Sequence, residues 1–206
     1  MLTLDHFCQH APQVLRQVAP DRWEQSDDDM NSKAALIPDG LTPKAAAVLI
    51  GVMENSGPHV LLTQRKDTLS KHAGQIAFPG GRLDDGETPL QAALREAEEE
   101  IGLHPDYVQP MGYLDGYLTV TGYFVVPVVA RLLPGFTLTP QADEVEDIFD
   151  VPLEFLLNAQ NRETQSRVWK GATRHFYVYP YGQRYIWGAT AGMIKNLSDR
   201  FQHAPA

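Results

Sequence analysis

The stretch GRLDDGETPLQAALREAEEEIGL, residues 81–103, gathers glycines, carboxylates and the strongest helix signals of the chain into one short span. Its second half predicts a helix. Thr88 suits the cap, Pro89 fits a first helical position that needs no N–H, and Gln91 completes a Thr-x-x-Gln capping box. Gly102 ends it. At about 100° per residue, Leu90, Ala93, Leu94, Ala97 and Ile101 form one apolar stripe, with Glu96, Glu99 and Glu100 roughly opposite. One face is expected to pack and the other to carry carboxylates. Glutamates three and four apart repel by about 0.2–0.5 kcal/mol per pair on an exposed helix, and a divalent cation taking oxygens from all three reverses that sign. An isolated EAEEE run is more often a solvated acidic face, with Arg95 and Glu99 as an ordinary i,i+4 ion pair. The residues ahead of the helix turn the reading towards a metal site.

Working outward, 206 residues suit one domain with elaborations and a core that needs no covalent staples. Cys8 is the single cysteine, which excludes an intramolecular disulfide framework and a multi-cysteine metal cluster; a cytoplasmic protein is the simplest reading. A net charge of -9 argues against non-specific nucleic-acid binding, which needs a basic footprint, but allows a small anionic substrate in a pocket whose sign is locally inverted. No signal-peptide pattern opens the chain and no apolar run has membrane-spanning length, so no membrane association is expected.

In chain order, Leu2 to Val18 reads as a short helix that Pro12 kinks or splits, and Asp21 to Ser32, with three consecutive aspartates, as a surface loop or linker. Residues 1–32 are thus expected to form a helix and polar linker on or beside a single domain, 33–206. Lys44 to Val52 and His59 to Thr63 read as a hairpin about the turn Glu54-Asn55-Ser56-Gly57-Pro58. Gln64 to Gly81 is read as a long functional loop, with basic Arg65, Lys66, Lys71 and His72 among glycines. Tyr107 to Val120 and Tyr123 to Leu133 are strand-like, Pro127 implying an edge or bulge in the second. Pro134 to Asp143 reads as loop, Glu144 to Val151 as a short strand, and Pro152 to Ala159 as a helix with Pro152 at its first position. A late hairpin, Arg167 to Trp169 and Arg174 to Tyr179 through Lys170-Gly171, precedes a helix from Thr190 to Phe201. The predicted class is α/β (α+β), a mixed sheet between helices in an α/β/α arrangement.

The spacing of Gly81, Glu87 and Arg95-Glu96-Ala97-Glu98-Glu99-Glu100-Ile101-Gly102-Leu103 matches the Nudix box, GX5EX7REUXEEXGU, at every fixed position, with Ala97 smaller than the usual bulky aliphatic residue. The chain therefore resembles the Nudix hydrolase superfamily. Upstream, LLTQRKDTLSKHAGQIAFPGG is similar to LLTXR(S/A)X3RX3GX3FPGG, the signature of the coenzyme A pyrophosphatase branch. Leu61, Leu62, Thr63, Arg65, Gly74, Phe78, Pro79, Gly80 and Gly81 agree; Lys66 replaces the small residue and Ser70 stands where that branch has arginine. TVTGYFVVPVV, EVEDIFDVPLEFL and YIWGATAGMI extend the resemblance over about Ala45 to Ile194.

The resemblance implies the Nudix fold, a loop-helix-loop motif, and cleavage by water, with Mg²⁺ or Mn²⁺, of a nucleoside diphosphate linked to another group. Glu96, Glu99 and Glu100 are the candidate ligands; Glu87 either completes the metal shell or anchors the loop. Arg95 is read as an orienting partner that braces Glu99, and Gly80 and Gly81 as the tight turn beside the metal. The general base is placed outside the box, at Glu144 or Glu146. Arg65, Lys66, Lys71 and His72 are candidate contacts to substrate phosphates, including the 3′-phosphate of coenzyme A. His104 and His175 are read as structural. Three readings stay open: a hydrolase of coenzyme A or acyl-CoA, a pyrophosphatase for ADP-ribose, a dinucleotide or a nucleoside triphosphate, and a nucleotide-binding module without turnover. A homodimer is compatible with each.

Overall fold

The computed structural model describes residues 2–27, 29–31, 40, 42–68, 73–169 and 172–202. In chain order its elements are helix α1 (Leu4–Val14), strands β1 (Trp23–Ser26), β2 (Lys44–Glu54), β3 (Pro58–Arg65), β4 (Ile76–Ala77) and β5 (Gly80–Arg82), and helix α2 (Pro89–Ile101). Then follow β6 (Val108–Tyr113), β7 (Gly116–Leu118), β8 (Tyr123–Leu132), β9 (Val145–Pro152), α3 (Leu153–Leu157), β10 (Glu163–Trp169), β11 (Ala172–Tyr181), β12 (Arg184–Trp187) and α4 (Ala189–Gln202).

The main sheet runs β1-β7-β8-β2-β3-β4, with β5 on β2, β6 on β8 and β9 on β3. It is mixed, because β2 pairs parallel with β8 and antiparallel with β3. The unbroken apolar run of β2 follows from its central place. Ala46, Ile50 and Val52 face one core while Ala47 and Leu49 face the other, so neither face is left for polar residues. On the second face α2 lays Ala92, Ala93, Ala97 and Ile101 against Leu49, Leu61 and Val128. On the first, Phe7 and Ala11 of α1, Leu153 and Leu156 of α3, and Ile194 and Leu197 of α4 cover Ile50, Val60, Leu62 and Val129. Helices on both faces of a mixed sheet are the expected α/β/α arrangement. Among the described residues no helix is long and apolar enough to cross a membrane.

Several expectations are corrected. Pro12 does not split α1: it lies in the last turn, where one lost hydrogen bond is tolerated. Trp23–Ser26, read as loop, is a strand, because its backbone pairs parallel with β7. The long loop before the box contains β4 and β5, held by β3 and β2; periodicity does not show so short a pair. Tyr107 to Val120 breaks into β6 and β7, and Pro127 explains where. Its strand is interior, not an edge, and its carbonyl accepts from Leu114 N–H between the two segments. A residue's N–H and C=O point to the same side of a strand, so the N–H that proline lacks falls where the ladder is already broken. Pro152 caps α3 instead of opening it, and α3 is only Leu153–Leu157.

The late hairpin is present as β10 and β11, its turn residues Lys170 and Gly171 lying outside the described residues, and β12 adds a third strand that periodicity did not reveal. Arg184 of β12 ties this second sheet to the first. Its guanidinium donates to Gln64 and Asp147 and lies 4.2 Å from the Phe149 ring centroid.

Candidate active site

The capping box forms as read: Gln91 N–H donates to Thr88 Oγ1 at 3.3 Å and Thr88 N–H to Gln91 Oε1 at 2.9 Å. Gly102 closes the helix at φ 68°, a left-handed position where a side chain is strained. The carboxylates do not fan out together. The Glu99 side chain is 61% exposed, whereas that of Glu100 is only 9% exposed and belongs to the packed side. Seven residues at about 100° each bring Glu100 within about 20° of Ala93, so it flanks the apolar stripe instead of opposing it.

Glu100 is held from two elements. Gly80 N–H donates to Oε2 at 3.1 Å, and Arg65 Nη1 is 3.5 Å from Oε1. Burial pushes its carboxyl up to about 7; Gly80 and Arg65 pull the other way, and the charges of Glu96 and Glu144 add to the rise. Glu96 is raised too, first by burial against the pull of Arg95, and further by Glu99 and Glu144. Acids that resist ionising together are those a cation relieves.

Arg95 was expected to brace Glu99, and does so at 3.3 Å, but its main partner is Glu87, bound through Nε at 2.8 Å and Nη2 at 3.0 Å. The same guanidinium reaches Glu96 at 3.0 Å and the Arg82 carbonyl at 2.9 Å. The two bonds from Arg95, with one from Asp84 N–H, hold the Glu87 carboxyl down at about 2. Both Glu87 oxygens are engaged, which is the geometry of a loop anchor.

Gly80 and Gly81 are needed for close approach. A Cβ on Gly80 would stand 2.3 Å from the Ala47 carbonyl, and one on Gly81 2.3 Å from the Glu96 carboxylate. The strand β5 therefore brings its backbone directly against the Glu96 and Glu100 carboxylates. Glu144 stands across from them, its carboxylate 3.7 Å from Arg65. Glu146, one strand position away from the buried Val145, opens instead on a shallow depression with Leu138, Pro140 and Ile148. Lys66 N–H donates to the Glu144 carbonyl at 2.9 Å. Lys71 and His72 lie outside the described residues. His104 caps a single helical turn through Asp106 N–H, a structural task, and His175 exchanges backbone bonds with Asn31.

Among the described residues no three carboxylate, histidine or cysteine groups converge as a finished metal cage. The donor set nonetheless fits Mg²⁺ or Mn²⁺: hard oxygens from Glu96 and Glu100 are fixed beside β5, and Glu99 offers a third, exposed carboxylate one turn from Glu96.

Beside Gly80 and Gly81 opens a cavity of about 830 Å³ that the sequence did not disclose. Lys44, Arg65, Arg82, Arg167, Arg174 and Lys195 line it, against the carboxylates of Asp27 and Asp29. Those two acids are structural: Asp27 accepts from Tyr117 Oη at 2.8 Å and Val120 N–H at 2.7 Å, and Asp29 from Ser26 at 2.8 and 2.9 Å. Of these six bases only Arg65 is a candidate site residue on sequence grounds. The others are scattered across β2, β5, β10, β11 and α4, and no local pattern marks them as neighbours.

The NUDIX domain model matches residues 42–170. Over 159 residues the chain is 41% identical to the uncharacterised Nudix hydrolase NudL of Escherichia coli O7:K1, covering 77% of this chain and 83% of that one; the NudL of strain K12 is 40% identical over the same span. The chain therefore belongs to the Nudix family, as a hydrolase of the pyrophosphatase type. The MutT/nudix family protein of Enterococcus faecalis has the same fold, with a TM-score of 0.52 at 17% identity over 85% of this chain and 73% of that one.

Proposed function

We propose that the protein is a divalent-metal-dependent hydrolase that splits coenzyme A or acyl-CoA at the diphosphate, giving adenosine 3′,5′-bisphosphate and (acyl-)4′-phosphopantetheine. The observation that carries this reading is the local reversal of charge. A chain of net charge -9 surrounds a cavity with six basic side chains and two acids among its described lining, and that cavity reaches Gly80 and Gly81 of β5, the strand against which the Glu96 and Glu100 carboxylates lie. A polyanion with its scissile bond near α2 fits both ends. The upstream stretch from Leu61 to Gly81, similar to the coenzyme A branch signature, supports coenzyme A within that class.

In this reading Glu96, Glu99 and Glu100 hold Mg²⁺ or Mn²⁺, and Glu87 and Arg95 fix the loop ahead of them. Held by these residues, a divalent cation would supply charge neutralisation for the diphosphate oxygens and Lewis acidity towards water. Glu144 is the preferred proton acceptor, since it faces the Glu96–Glu100 pair and Glu146 does not. Arg65 balances the carboxylates it lies between. Purified protein with Mg²⁺ or Mn²⁺ is offered coenzyme A, ADP-ribose, dinucleotides and nucleoside triphosphates, with products identified by mass spectrometry. The expected result is adenosine 3′,5′-bisphosphate from coenzyme A with the highest kcat/KM of the panel. No such product above a Glu99→Gln control sinks the proposal.

A further inference from the structure

The far wall of the cavity is made by the second sheet, and its chemistry differs from that of the end at β5. Arg167 of β10 and Arg174 of β11 are direct register partners, and both line the cavity. Like charges placed opposite each other across an antiparallel pair are unfavourable. On the same face Phe176 and Trp187 meet edge to face with ring centroids 5.4 Å apart. The Arg167 guanidinium lies 4.6 Å from the Trp187 centroid and 5.8 Å from that of Phe176. Stacking of this kind orients a planar fork of donors. The core does not require the group, because Val178, Tyr179 and Ile186 already supply the buried apolar contacts of this sheet.

Two opposed arginines beside an aromatic platform, in a cavity that runs to β5, match a flat base carrying its own anion. We infer that this face recognises the nucleoside end of the substrate: the base lies on Trp187 and Phe176, and Arg167 and Arg174 hold a phosphate separate from the diphosphate that is cleaved. The inference rests on the proposed reaction for its substrate class, and in coenzyme A the separate anion is the 3′-phosphate. It assigns that phosphate to the second sheet instead of to Arg65, whose guanidinium is turned towards Glu100 and Glu144. A volume of about 830 Å³ is in the range of small-molecule and cofactor sites.

The test is binding, by titration calorimetry in the presence of a chelator, of adenosine 3′,5′-bisphosphate and AMP to the full chain and its Arg167→Gln, Arg174→Gln and Trp187→Ala variants. The unsubstituted protein is expected to prefer the bisphosphate by roughly tenfold or more, each glutamine variant to lose most of that preference, and the alanine variant to weaken both ligands by roughly fivefold or more. Because the preference is a ratio within one protein, partial unfolding, which lowers both affinities together, does not imitate the result. Absence of a preference, or a preference that survives both arginine substitutions, overturns the inference, and AMP affinity indifferent to Trp187→Ala overturns its stacking half. Failure to cleave coenzyme A together with an arginine-dependent preference removes the proposed reaction and keeps the recognition wall. Cleavage with an arginine-independent preference does the reverse.

Discussion

Gly80 and Gly81 lack the same atom for different reasons, and substitution separates them. At Gly80 the missing Cβ would meet fixed backbone, the Ala47 carbonyl at 2.3 Å and Val48 Cα at 2.6 Å, neither of which moves without displacing the central strand. At Gly81 it would meet the end of a flexible side chain, the Glu96 carboxylate. Gly80→Ala should therefore destabilise the fold by about 1–3 kcal/mol, as overpacking does. Gly81→Ala should leave the unfolding midpoint nearly in place and lower kcat by about tenfold or more, by displacing a candidate ligand. Urea unfolding and steady-state kinetics on both variants check this. Equal losses of stability would show that Glu96 is as immobile as the backbone.

At the scale of elements, Asp115, between β6 and β7, binds three others. Arg16, just after α1, donates from Nε at 2.7 Å, Asn196 of α4 from Nδ2 at 2.8 Å, and Arg200 of α4 adds a second guanidinium. Burial works to raise the Asp115 carboxyl, but the bonds from Asn196, Arg200 and Arg16 outweigh it and hold the group below its ordinary 3.8. A depressed acid contributes stability above its unfolded value, and that contribution is lost as pH falls through the folded one. Asp115→Ala should cost about 2–4 kcal/mol, at or below the range for breaking a buried pair because Arg16 is about one-third exposed. The gap between variant and parent should shrink below about pH 3.8 as the parent's own carboxyl protonates. Denaturant melts at pH 7 and pH 3 measure it, and a gap unchanged between them refutes the ionic account.

This hub also shows what local pattern leaves unsaid. The capped helix α2, the hairpin β2–β3 and the box spacing were legible because their signals lie within a few residues of each other. Asp115 and Arg200 are 85 positions apart, and nothing near either marks the pair. The same holds for Arg167 and Trp187, which become neighbours only when β12 adds to β11. Glu100 flanks the apolar stripe because seven residues nearly complete two turns, which the run of acidic positions does not display, and Trp23–Ser26 is a strand through its partner, not its composition.

For the molecule as a whole, Arg184 decides whether the two sheets act on one substrate. From β12 its guanidinium donates to Gln64 of β3 and Asp147 of β9 and stacks on Phe149. Gln64 precedes Arg65, which sits between Glu100 and Glu144, so one side chain links the Arg167–Trp187 wall to the strand beneath the carboxylates. It touches neither end of the cavity itself. Arg184→Ala removes two hydrogen bonds and a stacking contact, about 1–2 kcal/mol together given its partial exposure, or roughly 2–8 °C in Tm for a chain of this size. If substrate spans both sheets, loosening their junction should raise KM by about tenfold, since a binding surface made of two bodies must then be ordered at each encounter. The carboxylates on α2 keep their own anchors in Arg95, Gly80 and Arg65, so kcat should change by less than about twofold. Arg184→Lys keeps the charge opposite Asp147 without the fork or the stack and should recover little of either loss. A fall in kcat with KM unchanged would mean that β12 positions the carboxylate end and contributes nothing to holding substrate.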